Sequence, residues 1–146
     1  MSKQDEAGLI LKLYELRREE VMRKARDWYF RDFFPDTIDD FTSAMFGEHS
    51  GHLRMVVTYW DMAAALVNNG AIGLELFTQT NGEYLPVYAK LEYLLPEIRK
   101  AFAPNFAVQL EKLVDSIPDG RKQVEAMRQR MKLIRERLAQ RAAAQR

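Results

Sequence analysis

Residues 53–68 constrain this chain more than any other stretch. Leu53, Val56, Val57, Tyr59, Trp60, Met62, Ala63, Ala64, Leu66 and Val67 leave almost no polar side on a helix. A helix that is apolar all round belongs at the centre of a bundle, because only neighbours on every side can take its surface from water. The segment is interrupted by Asp61 and falls short of the roughly 20 apolar residues that a membrane span requires. The chain must therefore supply the wrapping itself, and with 47% hydrophobic residues it can.

The flanking sequence reads as further helices. Leu9, Ile10, Leu13 and Leu16, then Val21, Ala25, Trp28 and Tyr29, recur at three- and four-residue steps, which predicts one long helix from about Gln4 to Asp32. Phe34-Pro35 ends it, since proline disfavours helical geometry in the residue before it. Thr37-Ile-Asp-Asp40 is a capping box for a short helix that Gly47 stops. Asn69-Gly70 supplies a left-handed cap after the central helix, and a short helical turn is expected over Gly73–Phe77. Pro86 suits the first position of a helix carrying Val87, Leu91, Leu94 and Leu95, and Pro96 kinks or restarts it. Asn105 is the expected N-cap of a helix carrying Phe106, Val108, Leu110 and Leu113. After the turn at Ser116–Gly120, a final helix runs from about Arg121 to Ala144. Strand signals are nearly absent. The expected fold is all-α: an irregular bundle around a central apolar helix, with long N- and C-terminal helices. One domain is expected over residues 1–146, with its core at about 9–117 and a basic C-terminal helix at about 121–144.

Three stretches carry a resemblance: Tyr59-Trp-Asp-Met-Ala-Ala-Ala-Leu-Val-Asn-Asn-Gly-Ala-Ile72, Leu85-Pro-Val-Tyr88 and Leu94-Leu-Pro-Glu-Ile98. Over roughly residues 10 to 105 the chain resembles an uncharacterised bacterial helical family, the domain of unknown function DUF4760. The resemblance implies an all-α fold. It transfers no functional residues, because its motifs are structural.

The polar residues offer little chemistry. With no cysteine, thiolate metal sites, disulfides and a cysteine nucleophile are excluded, and a reducing, cytoplasmic setting is expected. The first 20 residues lack the apolar stretch and cleavage site of a signal peptide. His49 and His52 are three apart in a loop, where metal sites favour converging ligands at helical i, i+4 spacing, so a solvated loop is expected. Asp36, Asp39 and Asp40 are explained by the macrodipole at a helix start. The serines, at 2, 43, 50 and 116, form no triad, and the seven glycines form no phosphate loop. No catalytic residue, cofactor site or metal site is assigned. Asp61 is the exception that needs a partner, because an unpaired buried carboxylate costs several kcal/mol. Arg54 lies two turns earlier, so Trp60, Asp61 and Arg54 are the candidate ligand cleft.

Charge is asymmetric. Residues 121–146 hold nine Lys/Arg against two Glu, or +7, while the first 120 residues hold 13 basic and 19 acidic groups, or −6. Within the basic helix Val124, Met127, Met131, Ile134 and Leu138 step by three and four, a short heptad seam that can pair within the chain or between subunits. The leading expectation is a non-enzymatic helical module for protein interaction or self-association, with a homodimer favoured. The alternatives are a small-molecule-binding domain with a cleft near Trp60 and Asp61, and nucleic-acid or anionic-surface binding through the basic helix. Nucleic acid is disfavoured, since the cations spread around the helix and no aromatics accompany them.

Overall fold

The computed structural model describes residues 2–146. It is all-helical, with no strand among the described residues. In order come α1 (Lys3–Arg17), α2 (Glu20–Arg31), α3 (Ile38–Met45), α4 (Ser50–Asn68), α5 (Leu74–Thr80) and α6 (Tyr84–Ala89). A 3-10 turn (Glu92–Leu94) then leads into α7 (Leu95–Ala101), α8 (Val108–Ser116) and α9 (Gly120–Ala144).

The segment 53–68 lies inside α4, and α4 is the hub. It packs against α2, α3, α6 and α8, and α6 in turn packs against α8 and α9. Leu53, Val56, Trp60, Ala63 and Ala64 are fully buried at its centre, joined by Tyr29, Phe41, Ile72, Phe77, Leu91 and Leu110 from the surrounding elements. The core is laced by polar side chains that reach backbone carbonyls. The Tyr29 hydroxyl donates to the Val87 carbonyl at 2.7 Å, tying α2 to α6. Tyr59 donates to the Leu13 carbonyl, tying α4 to α1.

Several boundaries differ from the sequence reading, each for a local reason. The expected helix from Gln4 to Asp32 is two helices. Glu19 takes extended geometry and its carboxylate accepts from the Met22 amide at 3.2 Å, so it caps α2 rather than continuing α1. Arg26 then donates to the Arg17 carbonyl freed at the break. The Thr37–Asp40 capping box is present as expected, and the amides of Asp36 and Thr37 hold the Asp40 carboxyl below the usual carboxylate range. Gly70 adopts φ 82°, the left-handed geometry expected after α4. Pro86 sits in the third position of α6 rather than the first, while Pro96 lies in the first turn of α7 and restarts the helix.

α8 begins at Val108, not at Asn105, because Ala107 turns into left-handed geometry at φ 55°. Its cap comes from another helix: Asp61 of α4 accepts from the Leu110 amide at 2.9 Å. Gly120 is required where α8 turns into α9, since a Cβ there would fall 2.0 Å from the Val114 carbonyl oxygen. No helix among the described residues is long and apolar enough to cross a membrane.

Candidate functional site

Trp60, Asp61 and Arg54 go to three separate partners. The Trp60 ring is fully buried, and its indole N–H donates to Glu83 at 3.2 Å. Glu83 also accepts from Arg26 Nε at 2.9 and 3.0 Å, and the Arg17 guanidinium stands over the Trp60 ring while donating to Asn81. This network joins the α1–α2 break to the turn before α6. Glu83 is its centre, and sequence reasoning missed it because Asn81-Gly82-Glu83 reads as an ordinary turn. Asp61 is occupied by α8, and Arg54 lies on the exposed side of α4, bonded to the Ser50 carbonyl one turn back. No hydrogen bond or ion pair among the described residues joins Arg54 to Asp61. His49 stacks on Trp28 at 5.2 Å and on His52 at 5.5 Å, so the two histidines pack on α2 as aromatic rings.

The C-terminal helix divides near Met131. Before that point two of its arginines meet the acids of the body. Arg121 pairs with Asp115 at 2.6 Å and with Glu92 at 2.8 Å, and Arg128 pairs with Glu92 at 2.9 Å and with Glu125. Val124 is fully buried, and Met127 and Met131 are half-buried against the core. Beyond it, every residue from Lys132 to Arg146 is exposed. Ile134 and Leu138, the second half of the expected seam, are 55% and 56% exposed, and Leu133 beside them is 57% exposed. The seam is therefore half intramolecular.

At the division lies a cavity of about 340 Å3, absent from the sequence reading. Its floor is apolar: Phe34 and Pro35 from the α2–α3 link, Ala89 at the end of α6, and Met131 of α9. Tyr93 closes one side by donating its hydroxyl to the Pro35 carbonyl. The cations are Lys90, Arg128, Lys132 and Arg135, and Asp36 is the one carboxylate in the lining.

Lys90 is the unusual member. It is 6% exposed, and its ammonium donates to the carbonyls of Tyr29 at 2.6 Å and Phe33 at 2.7 Å. Tyr29 lies in the last turn of α2 and Phe33 in the link just after it, so the buried cation acts as a cap on the C-terminal end of α2. No carboxylate pairs with it among the described residues. Its Nζ also stands 4.0 Å from the Phe34 ring centroid, and the Arg135 guanidinium stands 4.3 Å from the same centroid. Burial, and behind it the Arg135 charge, pushes Lys90 down to about 7. The one signal in the sequence was a lone cation within the apolar run Tyr84–Leu91.

A family model, Domain of unknown function (DUF4760), matches residues 5–117, which takes in nearly all of α1 and the whole of α2 to α8, and stops before α9. The chain belongs to that family. No curated protein and no solved structure matches it.

Proposed function

We propose that this member of the DUF4760 family is a non-enzymatic helical interaction module that self-associates in the cytoplasm through the distal half of α9. The observation that carries this reading is the exposed segment from Lys132 onward, with Leu133, Ile134 and Leu138 more than half exposed. A 25-residue helix is about 37 Å long, so its distal half extends well past the last residue seated on the core. Apolar side chains spaced along one lone helix gain nothing until a partner covers them.

Charge supports a second copy of the same chain as that partner. Beyond Arg135 the distal segment holds Arg137, Arg141 and Arg146 against Glu136, while the first 120 residues carry −6. Pairing two distal segments would set like charges together; docking each on the acidic body of the other copy matches opposite fields. Such an exchange is two-fold and self-limiting. The family match ends before α9, so the exposed distal segment lies outside the matched residues. The lack of cysteine fits the cytoplasmic setting.

Sedimentation equilibrium of the full chain at micromolar concentration tests the reading. The expected species is a dimer, returned to monomer by Ile134→Lys with Leu138→Lys, without loss of helical circular dichroism. Only the 17.0 kDa species in the parent protein would overturn it.

A further inference from the structure

We propose that the cleft between the Phe34–Asp36 link, the end of α6 and the middle of α9 is a binding site for a small organic anion: a carboxylate on an aromatic or short aliphatic body. The cleft carries a charge imbalance. Lys90 and Arg135 stand 4.0 and 4.3 Å from the centroid of one ring, so the two cations are no farther apart than about twice that distance. Lys132 joins them in the lining. Neither Lys132 nor Arg135 has an ion-pair partner among the described residues. Arg128, the fourth cation, is already engaged by Glu92 and Glu125. Asp36 lies in the lining without an ion pair to any of them. Cations gathered beside a low-dielectric wall repel one another, and an anion entering between them relieves that repulsion.

The apolar half of the ligand follows from the floor. Phe34, Pro35, Ala89 and Met131 present carbon rather than donors, and the volume of about 340 Å3 lies at the small end of ligand sites, which run from about 300 to 1,000 Å3. Inorganic phosphate would satisfy the cations and leave the floor wet. A neutral apolar molecule would cover the floor and leave the cations unpaired. The planar fork of Arg135 suits a carboxylate, and its seat on Phe34 holds it in place with less rotamer freedom to lose. Lys90, fixed by two carbonyls, contributes field rather than a mobile contact.

Isothermal titration of the full chain at pH 7 tests this, using 4-phenylbutyrate, the matched alcohol 4-phenylbutan-1-ol, and inorganic phosphate. Phenylbutyrate is expected to bind saturably, with the alcohol and phosphate each weaker by about tenfold or more. Lys132→Gln with Arg135→Gln should weaken phenylbutyrate by about tenfold and leave the melting temperature within about 2 °C, since both side chains are on the surface. Met131→Trp, which fills the floor, should abolish binding, with unchanged circular dichroism as its folding control. Equal binding of acid and alcohol, phosphate binding as tightly as phenylbutyrate, undiminished binding by the double variant, or no saturable heat would each overturn the proposal. Titrating Ile134→Lys with Leu138→Lys separates this site from self-association: the variant should bind like the parent, and loss of binding there would overturn a site complete within one chain.

Discussion

Replacing Lys90 with Met tests whether a buried cation without a carboxylate partner holds the end of α2. Methionine keeps an unbranched stem of similar length and removes the charge. Two effects oppose each other at neutral pH. The variant loses two charge-assisted bonds to the Tyr29 and Phe33 carbonyls, each worth about 1.5–3 kcal/mol. It also escapes the cost of burying the ammonium. A fall from 10.5 to about 7 corresponds to at most roughly 5 kcal/mol, at 1.36 kcal/mol per unit. Near pH 7 the two terms come close to cancelling, so the informative quantity is the slope with pH. Because the folded pKa is depressed, the folded protein releases the Lys90 proton near pH 7 while the unfolded chain keeps it until about 10.5. The parent should therefore gain stability over the variant as pH rises through this window, by up to about 2.7 kcal/mol between pH 7 and 9, and the difference should flatten below pH 7. Tyr29 and Tyr93, both raised by burial, stay neutral through this window. Asp36 and Lys132 are common to both proteins and cancel in the difference. Urea unfolding followed by tryptophan fluorescence suits the measurement, because Trp28 and Trp60 are both buried. A parent–variant difference that is flat from pH 6 to 9 would refute the reasoning, showing that the carbonyls and the Phe34 face outweigh burial and keep Lys90 near its ordinary pKa.

Trp60→Ala should destabilise by about 3–5 kcal/mol in the same assay, since it opens a cavity at the centre of α4 and leaves Glu83 with one donor fewer. Asp61→Ala should cost about 1–2 kcal/mol through the lost cap on α8 while Asp61→Asn costs less, a difference that chemical denaturation can resolve. Duplex DNA should bind no more tightly than about 1 µM at physiological salt; submicromolar binding that falls steeply with added salt would instead favour a nucleic-acid role for the distal arginines.

How far the fold was legible depends on where each helix end finds its cap. α4 could be read directly, because most of its residues are apolar and its packed side is buried, although Arg54, Thr58 and Met62 face solvent and the helix is not enclosed all round as its composition suggests. The Thr37 box and Gly70 were legible too, since cap and capped amide lie within three or four residues. The single long N-terminal helix failed at Glu19, where the apolar spacing continues across a break that one carboxylate decides. The start of α8 failed for the opposite reason. Asn105 has the chemistry of a cap, but Asp61 performs that role from 49 residues away. Asp61, expected to be a buried acid, is half-buried, and its partner is a backbone amide, which no residue type announces.

The candidate sites divide along the same line. The seam positions in α9 have identical spacing before and after Met131, so periodicity treats them alike; what separates them is the position of acids in other elements. Glu92 and Asp115 draw Arg121 and Arg128 onto the body, and with them Val124, Met127 and Met131. Past Met131 no acid of the body meets Lys132 or Arg135. The helix continues on its own propensity, and its apolar residues stay in water. The cationic cleft forms at that boundary because Arg135 still reaches back to Phe34 while the acids that would neutralise it lie a turn or more behind. One change in charge pairing along a single helix thus produces both the exposed distal segment and the unpaired cations beside Lys90, and the two can be separated by mutation because Ile134 and Leu138 take no part in lining the cleft.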